Sequence, residues 1–122
     1  MKIVTHETAK VVHCPKGGFV STRLLLESDG MGFTMTHTFI PKGAMQRWHY
    51  KNHLEACYCV SGFANVRDLE TGEIHTIQPG TMYALDKHDD HQFMAFEDTV
   101  LICCFNPPLK GHEVHREDGS YE

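Results

Sequence analysis

The chain lacks a long apolar run and lacks an excess of basic residues. A membrane-spanning helix needs about 20 consecutive apolar residues, and no run approaches that length. The first ten residues, MKIVTHETAK, also lack the apolar segment of a secretory signal. A formal net charge of -5 gives no electrostatic reason to expect nucleic acid or an anionic membrane as partner. We therefore predict neither as a partner.

The sequence also lacks a disulfide framework. Its five cysteines cannot all pair within one chain, Cys57 and Cys59 alternate, and Cys103 and Cys104 are adjacent. This pattern is untypical of small secreted proteins, whose cysteines pair in regular frameworks. We expect a reducing, cytoplasmic environment.

No long helical periodicity and no internal repeat appear in the 122 residues. Short β-prone segments alternate with turn signals instead, and a polar stretch at 5–10 could form one helical turn. We predict an all-β fold, a single-domain jelly-roll barrel. The predicted strands lie at 19–27, 32–40, 45–50, 54–60, 63–69, 73–77, 82–85, 91–96 and 100–105.

Regular alternation assigns side chains to faces of two strands. Thr34, Thr36 and Thr38 would share one face, and Glu55 and Cys57 another. The threonines either form an outer, solvated face or line a barrel mouth that holds a polar ligand. The pattern leaves both interpretations open.

Two glycine-bounded half-motifs carry candidate metal ligands. The second is GTMYALDKHDDH, with Gly80, Tyr83 and His91, and ten histidines raise the expectation of a metal. The first half-motif spaces Gly43, His49, Glu55 and Gly62.

The pair resembles the two motifs of the cupin superfamily, small β-barrels that bind a metal inside. Three positions depart from that pattern. Lys51 replaces the second histidine of the first motif, Asp86 a usual proline, and His88 a usual glycine.

A closer resemblance covers nearly the whole chain. The stretches STRLLL (21–26), YKNHLEACYC (50–59), DLETGE (68–73), PGTMYALDKHDDH (79–91) and FNPPLKGHEVHREDGSY (105–121) are similar to ectoine synthases. The resemblance implies a cytoplasmic, dimeric carbon-oxygen lyase of compatible-solute synthesis under osmotic stress. Its small-molecule substrate would be the γ-N-acetylated derivative of L-2,4-diaminobutyrate, which cyclises to ectoine with loss of water.

The resemblance further implies an iron(II) site made by Glu55, Tyr83 and His91. A carboxylate, a phenolate and an imidazole can bind a divalent cation and leave positions open for substrate. His49, where the family more often has Trp, is either a fourth ligand or a pocket or surface residue.

Other family positions carry over one at a time. Arg23 matches a substrate-contacting arginine, although a surface ion pair is its alternative. Cys103 is either functional or a small buried hydrophobe. Glu113 and His115 fall in a segment, 106–122, that would act as a lid over the barrel mouth or remain a solvated tail. The remaining positions of the predicted pocket are Phe19, Thr38, Tyr50 and Phe105.

Two further departures bear on the substrate. Phe19 stands where the family usually has Trp, and Thr36 where it usually has Asn. They keep two alternatives open: a related enzyme acting on another acetylated amino acid or a glutamine-like amide, and a non-catalytic cupin that binds a small solute.

Overall fold

The computed structural model describes residues 1–15, 17–114 and 120–121, which form two antiparallel β-sheets. The predicted all-β fold is confirmed. The strands are β1 (Lys10–His13), β2 (Val20–Leu25), β3 (Thr34–Ile40), β4 (Met45–Trp48), β5 (Leu54–Ser61), β6 (Ala64–Asp68), β7 (Ile74–Ile77), β8 (Met82–Leu85), β9 (His91–Ala95) and β10 (Thr99–Asn106).

Strand β10 lies between β3 and β5 in the larger sheet. One sheet runs β1-β2-β3-β10-β5-β8 and the other β4-β9-β6-β7. In the first sheet Cys103 lies opposite Thr36 of β3 and opposite Cys57 of β5. The sheets meet where the rings of Tyr83 and Phe93 approach to 6.5 Å between centroids. Buried apolar side chains fill the space between the sheets.

The N-terminal part differs most from the sequence prediction. Residues 10–13 form a strand in the region 1–14, for which the sequence indicates a short β-prone piece without bounds. Backbone hydrogen bonds to the Thr5 carbonyl close a turn within the predicted helical stretch. The predicted strand at 19–27 is shorter, because a single 3₁₀ turn at Glu27–Asp29 follows β2. There the Asp29 carboxylate accepts a 2.8 Å hydrogen bond from the Leu26 amide. The alternation of side chains in the sequence does not show that such a local hydrogen bond ends the strand.

The threonines of β3 face inward, so their interpretation as a solvated face is wrong. Thr34, Thr36 and Thr38 are 0%, 1% and 8% exposed, whereas Met35 and Phe39 on the other face are only half-buried. The interior of the barrel is therefore partly polar, because a purely apolar core would exclude these hydroxyl groups.

Gly62 permits a close approach between two chain segments. Its φ is +102°, and a Cβ built there would lie 2.5 Å from the Asp98 carbonyl oxygen and the Thr99 Cα. We expect Gly62→Ala to lower the free energy of unfolding by roughly 3 kcal/mol, from backbone strain and overpacking together. Urea denaturation measures the change.

Gly30 is the matched control, since its φ is also positive, +72°, yet no atom lies within 4 Å of the added Cβ. Gly30→Ala should cost only about 1 kcal/mol, from backbone strain alone. Equal losses for the two variants would contradict the close-contact argument.

Among the described residues, no helix is long and apolar enough to cross a bilayer.

Candidate functional site

A small polar cavity lies inside the barrel. Its volume of about 20 Å³ has room for about one water molecule. Side chains from both sheets form its wall: Phe19, Ser21, Thr36, Thr38, Trp48, Tyr50, Glu55, Cys57, Tyr83, Leu101, Cys103, Phe105 and Tyr121.

Glu55 is the only carboxylate that lines this cavity among the described residues, and it is 7% exposed. Burial, with the neighbouring Cys103, raises the pKa of Glu55 well above its usual value. One ligand atom each from Glu55, Cys57 and Cys103 lies within 4.8 Å of the others. A nearby cation would stabilise the ionised form of a carboxyl group that is buried in this way.

Tyr83 and His91 present buried polar atoms without a regular hydrogen-bond partner among the described residues. The Tyr83 hydroxyl lies near the Cys57 thiol, and burial raises the pKa of Tyr83. His91 Nδ1 lies 2.9 Å from the Asp89 carbonyl oxygen and must donate to it, which leaves the lone pair on Nε2. Burial lowers the pKa of His91 and favours this neutral form. An imidazole oriented in this way is typical of a metal ligand.

Glu55, Tyr83 and His91 supply the donor types of the iron(II) set that the family resemblance implies. Glu55 and Tyr83 share the small cavity, and the Tyr83 ring centroid lies 6.4 Å from that of His91 on the opposite sheet. Tyr83 and His91 also line a wider cavity of about 500 Å³ between β7 and β8. Carboxylate, phenol oxygen and imidazole nitrogen suit a divalent first-row metal, and the unpartnered atoms of Tyr83 and His91 would gain a partner.

His49 lies away from these donors. Its side chain is half-buried, and Nδ1 is 3.8 Å from the Asp90 carboxylate, which Arg47 contacts with two hydrogen bonds. His49 lines neither cavity that Tyr83 borders. The contact with Asp90 favours a position outside the ligand set, and Nδ1 of His49 is buried without a regular hydrogen-bond partner among the described residues.

His88 has a φ of +54°, a conformation that favours glycine, which is usual here in the cupin pattern. Its Nδ1 lies 2.9 Å from the Tyr50 carbonyl oxygen and 3.1 Å from that of His53. The histidine therefore connects the loop after β8 to the segment that carries Tyr50.

Two threonine hydroxyl groups lie in a row beside the Cys103 thiol. Thr36 and Thr38 lie 3.1 Å apart between hydroxyl oxygens, and Thr38 lies 3.8 Å from Cys103 Sγ. Hydrogen bonding from Cys57, against the effect of burial, lowers the pKa of Cys103. A thiol in this polar setting differs from an inert buried hydrophobe.

Three predicted aromatic positions form the apolar part of the wall. Tyr50, Phe19 and Phe105 are 3% to 4% exposed. The Tyr50 ring meets Phe105 edge to face at 5.2 Å, and Phe19 meets Trp48 in the same way at 5.3 Å. Phe19 thus lies in the cavity wall and packs its ring against that of Trp48.

Arg23 is 2% exposed, so its interpretation as a surface ion pair is wrong. Its guanidinium donates to the carbonyl oxygens of Gly111 and Glu113 and lies 3.6 Å from the Glu113 carboxylate. Arg23 does not line the small cavity, because the Tyr121 ring lies between, 5.6 Å from the guanidinium carbon.

Glu113 is 6% exposed, which contradicts a solvated tail at this residue. Its carboxylate accepts hydrogen bonds from the amides of Lys110, 2.7 Å, and Gly111, 2.8 Å. Although burial acts to raise it, these amides and the Arg23 charge lower the pKa of Glu113. His115 lies outside the described residues.

Tyr121 was missed by the sequence reasoning. Its ring packs on Tyr50 at 4.9 Å and Phe105 at 5.8 Å, and it is 3% exposed. A single aromatic residue in a polar tail carries no periodic signal, and only the family likeness of the GSY end drew attention to it. The ring forms part of the wall of the small cavity.

The pKa of Glu113 predicts an acid-sensitive contact. Because folding lowers this pKa below 4.5, the carboxylate stabilises the docked segment fully above pH 4.5, and this contribution is lost as pH falls through the folded value. We expect amide exchange at Lys110 and Gly111, corrected for intrinsic rates, to increase as pH falls below 4.5. Glu113→Gln is the control and should flatten this dependence. Unchanged pH dependence in that variant would refute the assignment.

The two sheets and the enclosed polar site define a cupin, and structural comparison agrees. An RmlC-like cupin from Shewanella frigidimarina NCIMB 400 superposes with a TM-score of 0.71 at 21% identity, covering 88% of this chain and 91% of its own. The crystal structure of ectoine synthase from P. lautus has a TM-score of 0.83 at 39% identity, covering 91% of this chain and 81% of its own. The predicted cupin-type barrel is confirmed.

Sequence comparison then defines the family. The L-ectoine synthase of Teredinibacter turnerae is 53% identical over 108 residues, 88% of this chain and 82% of that protein. That of Marinomonas sp. is 49% identical over 116 residues, 95% of this chain and 90% of that protein. The profile of the ectoine synthase family matches residues 1–122, and the chain belongs to this family. The resemblance noted in the sequence is confirmed and is favoured over both alternatives.

Proposed function

We propose that this chain is a lyase that cyclises the γ-N-acetylated derivative of L-2,4-diaminobutyrate to ectoine. The α-amine attacks the acetamide carbon, a new carbon-nitrogen bond closes the ring, and the carbonyl oxygen leaves as water after taking up two protons. The family match over residues 1–122 carries this proposal. The enclosed polar barrel supports it, because an internal condensation needs a folded substrate and exclusion of bulk water.

Recognition of the substrate would fall to Arg23 and the inner wall. A guanidinium can hold the substrate carboxylate through two parallel hydrogen bonds, and Arg23 already contacts carbonyl oxygens and a carboxylate of the C-terminal segment. Thr38 supplies a hydroxyl and Phe19 and Phe105 supply apolar contact. Substrate would take the place of the Tyr121 ring, since the remaining cavity of about 20 Å³ is too small for it.

Proton transfer would use Tyr50, Cys103, Glu113 and His115. Glu113 lies beside Arg23, and a carboxylate there can orient the substrate ammonium for proton transfer when the segment 106–122 covers the mouth. Cys103, with its lowered pKa and its hydroxyl neighbours, is suited to proton exchange inside the cavity.

Iron(II) would be held by Glu55, Tyr83 and His91. When bound, it supplies Lewis-acid polarisation of the acetamide oxygen. The orientation of His91 by Asp89 and the buried Tyr83 hydroxyl support this set.

The cellular location and the oligomeric state are inferred from the cysteines and from an exposed edge of the sheet. All five cysteines are unpaired, which supports a cytoplasmic enzyme, and its product would serve as a compatible solute in osmotic stress. A homodimer is supported by the edge strand β8, where Met82 is 58% exposed, and by Ile3, 81% exposed. No feature of the described surface calls for nucleic acid.

The test is turnover of the acetylated diaminobutyrate by the purified, iron(II)-loaded protein, with ectoine measured by chromatography. Ectoine should appear only with metal and should be lost in Glu55→Ala and Tyr83→Ala with the fold intact. A panel of other acetylated amino acids and glutamine is the comparison. Preference for another amide, or no product from metal-loaded protein, would refute the proposal.

A further inference from the structure

Two buried thiols adjoin Glu55, and one of them, Cys57, takes no part in the proposed reaction. Cys57 is 1% exposed and Cys103 is 3% exposed. They lie directly opposite each other on β5 and β10. One sulfur from each and one oxygen of Glu55 all lie within 4.8 Å of one another.

These three side chains start from rigid backbone. β5 and β10 are interior strands of the six-stranded sheet, each paired on both sides. Alternation directs Glu55 and Cys57 to the same face, and register brings Cys103 beside them. The cluster therefore exists without any rearrangement of the barrel wall.

We propose that Glu55, Cys57 and Cys103 form a second ligand set, for a thiophilic divalent cation of the zinc class. Two thiolates and a carboxylate match the preference of zinc for sulfur ligands with four-coordinate geometry. The Tyr83 hydroxyl also lies near Cys57. Binding would release the two thiol protons to solvent, as thiolates are the ligating form.

Neighbouring groups distinguish these thiols from the others. Thr38 Oγ1 lies 3.8 Å from Cys103 Sγ and can donate a hydrogen bond to a metal-bound thiolate. Cys59 faces the same side of β5 as Cys57, but its thiol donates to the Ser61 carbonyl oxygen at 3.3 Å. Cys59 is therefore a buried thiol that the proposed set does not use.

The proposal goes beyond the cyclisation and does not depend on it. Because Glu55 belongs to both ligand sets, one barrel would hold either a cation on the thiols or iron(II) on Tyr83 and His91. Zinc would then compete with iron(II) for the protein.

Cobalt(II) is the probe, since thiolate ligation gives it a strong near-ultraviolet charge-transfer band and zinc displaces it. The reduced, metal-stripped full chain is titrated anaerobically. We expect one saturating cobalt per chain with a thiolate band that zinc removes. Cys57→Val should reduce the band by about half or more, and Glu55→Gln should weaken cobalt binding at least about tenfold.

Cys59→Val is the matched control and should leave the band unchanged, with circular dichroism reporting the fold in every variant. If Cys57→Val does not fold, Cys57→Ala replaces it. Cobalt binding without a thiolate band, or a band of undiminished intensity after loss of Cys57, would overturn the proposal. Iron(II)-dependent turnover together with no thiolate band would leave the cyclase standing and refute only this ligand set.

Discussion

Replacing His91 with alanine should remove most of the bound iron and lower kcat/KM by at least about a hundredfold. The variant deletes the buried Nε2 lone pair that Asp89 orients, and metal stabilisation of transition-state charge is worth several kcal/mol. Iron analysis of purified protein and steady-state kinetics measure the two effects.

His49→Ala is the matched control, because it removes the histidine of the first half-motif, which lies beside Asp90. This variant should keep its iron and lose less than about threefold in kcat/KM, as expected for a half-buried contact that supplies no metal ligand. Loss of iron from His49→Ala with retention in His91→Ala would reverse the assignment of the ligands.

Replacing Arg23 with glutamine should detach the C-terminal segment. Removing one partner of a buried ion pair costs about 3–5 kcal/mol. Arg23 has its carbonyl and carboxylate partners at Gly111 and Glu113, and its Nε also donates to Ser21 Oγ of β2 at 3.5 Å. The segment can therefore return Glu113 to water while the barrel stays folded. We expect amide exchange at Lys110 and Gly111 to increase at least about a hundredfold, with a raised KM.

Arg47→Gln provides the comparison, since Arg47 bonds Asp90 in an exposed pair whose arginine side chain is 48% exposed. That change should cost about 1 kcal/mol or less and leave the exchange at Lys110 unaffected. Similar exchange in wild type and Arg23→Gln would show that the arginine does not hold the segment.

Local sequence rules predicted which residues share a face better than which face is inside. Alternation correctly grouped Thr34, Thr36 and Thr38, and separately Glu55 and Cys57. The direction of β3 was uncertain because threonine suits both a solvated face and a polar cavity. The register between β3 and β10 resolves this ambiguity, since Thr36 lies opposite Cys103 in the barrel wall.

Contacts over long sequence separations were not predictable from local pattern. Arg23 is buried because chain segments 88 and 90 residues away supply its acceptors. Cys57 was placed on the correct face, yet only the pairing of β5 with β10 brings it beside Cys103. The family likeness supplied Tyr83, whose hydroxyl a residue pattern cannot distinguish from that of a core tyrosine.

The ring of Tyr121 has a consequence for the rate of substrate entry. The cavity that this ring lines has a volume of about 20 Å³, which is too small for a molecule the size of an acetylated amino acid. The observed association rate should level off at high substrate concentration, at the rate at which the ring leaves. Product trapped behind the returning ring would depart at that same rate. If substrate displaces the ring as proposed, the rate of that displacement would set an upper limit on turnover that changes to the chemistry inside the barrel cannot exceed.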